Sequence, residues 1–453
     1  MNRSSLKKIT ESSEITQIQA EVRELAIQEG LDFFETIFEL VDYRQMNEIA
    51  AYAGFPRRYP HWRFGMEYDK LTKGYAYGLQ KIYELVINHD PCYAYLLRSN
   101  QLVDQKLVIA HVYAHSDFFK NNLWFRRTNR KMIDVMANHG AYIQNGYEKY
   151  GRDVVENFID LALSIENLID FYALSPDPGS ETLQPAPSVD RDVLLFLIEN
   201  APLTDWQMTI LSIVRDEAYY FAPQMQTKII NEGWAAYWHS RITNKILKDS
   251  EIVDYADHHS GTLEMRPGQI NPYKIGLELF RDVEERWNKG QFGASYEGCQ
   301  LFEEKMSWNT KAELGIQKIF EIRKFYNDVT FIDEFLTPEF VEKHKLFIYG
   351  YNRRTGKHEI LDRDWKHVKE RLLLSLTNLG SPFMTIADKN LEGRGELLLK
   401  HDHFGVDLKI GEARETMAKI YQLWQRPIHL VTSVTGVKKL FTFNGKDHTE
   451  RAI

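Results

Sequence analysis

The chain has 453 residues, of which 43% are hydrophobic, 26% charged and 13% aromatic, and it carries a formal net charge of −8. That length is enough for a large core divided into two or three domains, and the acidic balance argues against nonspecific binding to nucleic acid or to an anionic membrane. Two cysteines, Cys92 and Cys299, make no disulfide framework or cysteine-rich zinc site; there is no membrane-spanning apolar stretch, and residues 1–20 are too polar for a secretion signal, so the expectation is a cytoplasmic protein.

In chain order, apolar residues recur at helical spacing from Ile15 to about Glu48, which predicts a helix. A turn-rich loop follows from Gly54 to Trp62, where Pro56 and Pro60 interleave with Arg57, Arg58, Tyr59 and His61. Such a loop, with Arg63, either packs or grips an anionic or sugar-like ligand. Helices are predicted over Tyr75–Asn88, Gln101–Asn121, Lys131–Gly146 and Val154–Tyr172. Residues 175–187 hold Pro176, Pro178, Pro185 and Pro187 and read as an exposed linker or insertion. Helical patterns resume from Val189 to about Arg241, with an interruption expected at Pro223.

Beyond Lys324 the pattern shortens. Apolar runs at Lys345–Tyr351, Pro382–Ala387, Glu396–Lys400, His429–Val434 and Lys438–Phe443, bounded by turn residues, read as strands. Two amphipathic helices, Trp365–Leu379 and Gly411–Trp424, lie between them. The expected fold class is therefore α+β. A large, mainly helical N-terminal domain covers residues 1–324, and a small α+β domain with an antiparallel sheet covers 325–453.

Two of the predicted helices carry chemistry in common. In Ile109-Ala-His111-Val-Tyr-Ala-His115, the imidazoles lie four residues apart, on one helix face and about 6 Å from each other, so both reach a single metal ion. Fifteen histidines scattered at random give roughly half a pair at that spacing, so the surroundings carry the argument. Leu107, Val108, Ile109, Ala110, Val112, Tyr113 and Ala114 make the helix apolar on nearly every side. Two buried imidazoles one turn apart are costly unless core hydrogen bonds or an ion satisfy them. The second segment, Asn231-Glu232-Gly-Trp-Ala-Ala-Tyr-Trp-His239, supplies Glu232, completing two histidines and a carboxylate with a coordination position left open. Small Gly233, Ala235 and Ala236 suit a close approach to the histidine helix.

Several residues are candidates for acid–base or supporting roles. Glu217 and Glu84 sit among apolar neighbours, where burial raises a carboxyl toward a useful catalytic range. Asp117 is placed to hydrogen-bond an imidazole from behind. His239, about 10.5 Å along the axis from Glu232, is too far to share its ion but can orient substrate, act as an acid or hold a second metal. Asp257-His258-His259 and the pair His401 and His403 are weaker ligand candidates, the latter expected to face solvent.

The runs Tyr59-Pro-His-Trp-Arg-Phe-Gly65, Gly78–Asn88, Ala110–Asn122, Asn231–His239 and Asn271-Pro-Tyr-Lys-Ile-Gly276, in this order, resemble those of the SpoVR (stage V sporulation protein R) family. The resemblance implies a cytoplasmic bacterial protein connected with the spore cortex, working beside a PrkA-type serine kinase and a von Willebrand-type protein. Asn231-Glu-Gly-Trp-Ala is also similar to the segment carrying the third zinc ligand of gluzincin metallopeptidases. That likeness implies a zincin-like site with His111, His115 and Glu232 on zinc. Gluzincins place their general base directly after the first histidine, where this chain has Val112. Two readings follow: a metal-dependent enzyme acting on an amide or peptide bond, with a peptide or peptidoglycan-like substrate, or a non-catalytic regulator with a structural metal.

Overall fold

A computed structural model describes residues 3–76, 83–173 and 190–453. The chain groups into two units, each assembled from separated stretches. The first takes residues up to 56, 62–133 and 226–376; the second takes 57–61, 134–225 and 377–453.

Three long helices form the heart of the first unit. The histidine helix, Leu102–Asn121, opens with Asp104 accepting from the Gln101 backbone N–H at 3.3 Å. It gives way at Asn122, whose side chain accepts from the Trp124 N–H. No glycine or proline interrupts it, and from Val103 to Phe119 every residue except half-buried Leu107 is buried. The glutamate helix, Lys228–Ile246, packs against it. Thr227 offers that helix no side-chain cap. Instead the Asp328 carboxylate accepts from the Ile229 and Ile230 N–H groups at 2.9 and 2.8 Å, satisfying two of the donors that a buried helix start leaves open. Burial nevertheless pushes the Asp328 carboxyl up to about 7, those hydrogen bonds working against the shift.

The third helix, Pro272–Lys289, crosses the glutamate helix where Gly233 meets Gly276. A Cβ on Gly233 would fall 2.4 Å from the Gly276 backbone, and one on Gly276 would fall 2.1 Å from the Ile229 carbonyl oxygen. Only glycine at both places lets the backbones touch. Gly233 thus serves the approach of this third helix, where the sequence suggested the histidine helix.

Among the described residues, ten strands form three sheets. In the first unit β1 (Thr36–Val41), β2 (Glu84–Ile87) and β3 (Cys92–Leu97) run in the order β1-β3-β2, with β1 parallel and β2 antiparallel to β3. Also in the first unit, β4 (Ile348–Asn352) and β5 (Lys357–Asp362) form a hairpin. The second unit holds β6 (Met384–Leu391), β7 (Glu396–His401), β8 (Ile428–Val434), β9 (Val437–Phe443) and β10 (His448–Ala452), in the order β10-β9-β8-β7-β6. Helix Ile410–Trp424 packs on β8 and β9, and Trp424 meets Phe196 of helix Val193–Asn200 at 5.3 Å between ring centres. No described helix is long and apolar enough to cross a membrane.

The α+β class is observed, with several differences in detail. The helix expected from Ile15 to Glu48 is two, Arg3–Gln28 and Tyr43–Ala51, with β1 between them. Gly30, at φ 91°, follows the first, and the Thr36–Val41 run is rich in β-branched and aromatic residues. The helix expected over Tyr75–Asn88 is replaced at its end by β2, a short apolar run whose periodicity is ambiguous and which pairing with β3 decides. Val154–Tyr172 is helical only as Arg152–Leu163. Pro223 lies inside helix Asp205–Gln226, and the break comes after Gln226. The C-terminal sheet is mixed rather than antiparallel: β7 and β8 are parallel because helix Ile410–Trp424 carries the chain across between them. Helix Trp365–Leu376 buries Val368 and Leu372 in the core of the first unit, so that unit extends past residue 324. The proline-rich stretch 175–187 lies outside the described residues.

Asp328→Ala should destabilise the first unit by about 1–3 kcal/mol, because two buried N–H groups lose their acceptor. Since the folded carboxyl titrates above its unfolded value, its stabilising contribution is complete at acid pH and is lost as pH rises through about 7. Asp328→Asn should flatten that segment of the stability profile, read by thermal melts across pH.

Candidate metal centre

The helix pairing brings His111, His115 and Glu232 together. Their ligand-type atoms all lie within 4.8 Å of one another. The two Nε2 atoms are 3.0 Å apart, and Glu232 Oε2 is 3.4 Å from each. Glu232 Oε2 is buried and makes no hydrogen bond among the described residues.

The outer ring nitrogens are already engaged. Asn231 Oδ1 lies 2.9 Å from His115 Nδ1 and, being an acceptor only, requires His115 to donate from Nδ1. The lone pair of His115 therefore sits on Nε2, facing Glu232. His111 Nδ1 is 2.9 Å from His239 Nδ1, and His239 Nε2 is 3.2 Å from His259 Nδ1. Where His111 donates from Nδ1 to His239, its Nε2 lone pair turns to the same point. Two imidazole Nε2 atoms and a carboxylate oxygen thus converge on one point. Two bonds of about 2.1 Å to one ion, at angles between 90° and tetrahedral, separate their donors by about 3.0–3.4 Å, so the residues fit a divalent metal.

The electrostatics agree with this crowding. Burial alone would raise the Glu232 carboxyl, but the close approach and charge of His111 and His115 hold it far below the usual carboxylate range. Burial and the neighbouring His115 lower His111. His115 is raised, the Glu232 and Asn231 contacts outweighing its burial. His239 is driven well down by burial and by His111 and His259 beside it.

The other predicted residues have distinct placements. Glu84, half-buried on β2, feels both His115 and Glu232, and burial pushes its carboxyl up to about 7. His239 backs His111 and lies one imidazole removed from the cluster. Glu217 belongs to the second unit, where its carboxylate is engaged by Arg58 and by His139 at 3.2 Å. His61 of the Arg57–Trp62 loop is also buried in that unit, 3.3 Å from Asp160. Asp117 makes no contact with an imidazole among the described residues. It accepts from Trp234 Nε1 at 2.9 Å, Arg323 Nη1 at 2.7 Å and the Asp32 N–H at 2.8 Å, so it ties elements together behind the cluster. The supporting role expected of it falls to Asn231. His258 pairs with Asp104, and its neighbour His259 extends the imidazole chain. His401 is buried against Thr432 rather than solvent-facing, while His403 meets Asp407 at 2.8 Å.

Tyr273 was missed as a functional candidate. Its ring stacks on His111 at 6.0 Å, and burial together with the Glu232 and Glu84 charges drives its hydroxyl far above the ordinary phenol range. Its signal was present in the Asn271–Gly276 run, but that run supplied only likeness and no chemistry.

Fold and site together define an α+β protein whose helical core contains a His-His-Glu cluster of metal-ligand type. The chain belongs to the SpoVR family: the model described as SpoVR like protein matches residues 10–185 and 175–381, and the SpoVR-like C-terminal domain matches 382–434. It is similar to uncharacterized protein YcgB of Escherichia coli (strain K12), 28% identical over 467 residues and covering 89% of each chain. No solved structure matches.

Asp117→Ala should cost about 3–5 kcal/mol, because the buried Arg323 guanidinium loses its counter-charge along with the Trp234 and Asp32 donors. Asp117→Asn, which keeps an acceptor, should cost less; equal melting temperatures for Asp117→Ala and wild type would contradict this account.

Proposed function

We propose that this protein is a metal-dependent enzyme that binds one divalent ion, zinc by its donor set, through His111, His115 and Glu232, and acts on an amide or peptide bond. One observation carries the reading: His111 Nε2, His115 Nε2 and Glu232 Oε2 face one another in the core while Asn231 and His239 lie against the outer nitrogens of the two imidazoles. A bound ion there supplies Lewis acidity, polarising a carbonyl and making water more acidic.

The chain's own groups supply the rest. Glu84 takes the general-base place left empty at Val112: with a carboxyl near 7, it accepts a proton from attacking water and returns it to the leaving amine. Tyr273 stays protonated at every working pH and donates a hydrogen bond to charge developing on the carbonyl oxygen. His239 acts by fixing the tautomer of His111, and Glu217, held by Arg58 and His139, takes no part. The family's tie to the spore cortex points to peptidoglycan or its precursors as the substrate class.

A second reading is favoured by Val112 and by the burial of His111 and His115, 3% and 6% exposed. In it the ion is structural, and the protein is a regulator or scaffold working with a PrkA-type kinase and a von Willebrand-type partner.

Metal analysis of protein purified without chelator should find about one divalent ion per chain, lost in His111→Ala and Glu232→Ala. A metal-free wild type would refute the centre. Glu84→Gln should retain the ion and fold but lose about 10²–10⁴-fold in hydrolysis of peptidoglycan-derived peptides. A structural ion predicts instead that Glu232→Ala unfolds the first unit and that Glu84→Gln changes nothing.

A further inference from the structure

A second feature of the first unit is independent of the metal cluster. Loop 265–270, the first turn of helix Pro272–Lys289, segment 344–349 and helix Trp365–Leu376 enclose a cleft of about 370 Å³, a size that suits a small organic molecule. Its floor is apolar, with Ile275, Leu346, Val368 and Leu372 all buried in the main core. Its rim carries Arg266, Lys274, Lys345 and Arg371, with half-buried His344, and no carboxylate lines it among the described residues.

This concentration of positive charge runs against the composition, since the chain has 64 acidic and 56 basic side chains. Helix Pro272–Lys289 shows the contrast within itself. Arg281, Arg286 and Lys289 are each paired with a carboxylate three or four residues earlier, Glu278, Asp282 and Glu285. Among the described residues, the side chains of Lys274, Arg266, Lys345 and Arg371 have no such partner. The imidazole of His344 is pulled below its ordinary value by burial and by the Lys343 and Lys274 charges, against the opposing pull of Glu278.

We propose that this cleft binds an organic phosphate: the phosphate between the rim cations, and an apolar or planar body on the floor formed by Ile275, Leu346, Val368 and Leu372. Guanidinium groups grip phosphate with paired, charge-assisted hydrogen bonds, and the floor gives the body a surface to cover. A free inorganic anion would use only half of the site.

Calorimetric titration of the full chain with phenyl phosphate tests this. Phenyl phosphate should bind at least about tenfold more tightly than either inorganic phosphate or phenol. Arg266→Ala combined with Arg371→Ala, both at exposed positions, should weaken it by roughly tenfold or more at an unchanged melting temperature, and Lys274→Gln should weaken it separately. Binding should survive in His111→Ala, which separates this cleft from an anion bound at the metal cluster. Absence of binding, equal affinity in the variants, phenol or inorganic phosphate binding as tightly as phenyl phosphate, or loss of binding in a His111→Ala or Glu232→Gln protein that melts at the wild-type temperature would each overturn the proposal.

Discussion

Two imidazole nitrogens and a carboxylate oxygen aimed at one point in a protein core repel unless something positive stands between them. That constraint organises the first unit. Asn231 dictates which nitrogen of His115 carries its proton, and His239 faces the outer nitrogen of His111. Neither contact would matter if the two histidines were ordinary core residues free to turn toward any nearby carbonyl.

Holding such an arrangement demands a rigid scaffold, and the glutamate helix is the member under the tightest control. Asp328 fixes its start, Gly233 and Gly276 set its contact with one neighbour, and Trp234 anchors it to Asp117 on the other. Asp117 in turn holds Arg323 and the Asp32 backbone. The residues that grip the helix lie at its start and on two of its sides close to Glu232, so its carboxylate has little room to swing away from the histidines.

Long-range pairing explains what could and could not be read from the chain. The histidine and glutamate helices were legible because both are long and rich in apolar residues, and the i, i+4 spacing put His111 and His115 on one face before any fold was known. Glu232 joined them through a short motif likeness. The strands β1 and β2 were not legible, since their apolar runs suit either periodicity and only pairing with β3 settles them. Asp117 and Glu217 show the same limit at the level of side chains. Apolar surroundings were expected for Glu217 and an imidazole partner for Asp117, but their partners, Arg323 and Trp234 for Asp117 and Arg58 and His139 for Glu217, come from distant segments. The parallel β7–β8 pair, by contrast, was implicit in the strand–helix–strand order.

The interleaving of the two units bears on how the polypeptide is made. A ribosome releases the histidine helix long before it reaches Lys228, and residues 134–225, which belong to the other unit, emerge in between. At about 5–20 residues per second, the interval is of the order of ten seconds. Throughout it an unusually apolar segment such as Leu102–Asn121 lacks the glutamate helix, a main part of the surface it will cover, and nascent chains in that condition are clients for chaperones.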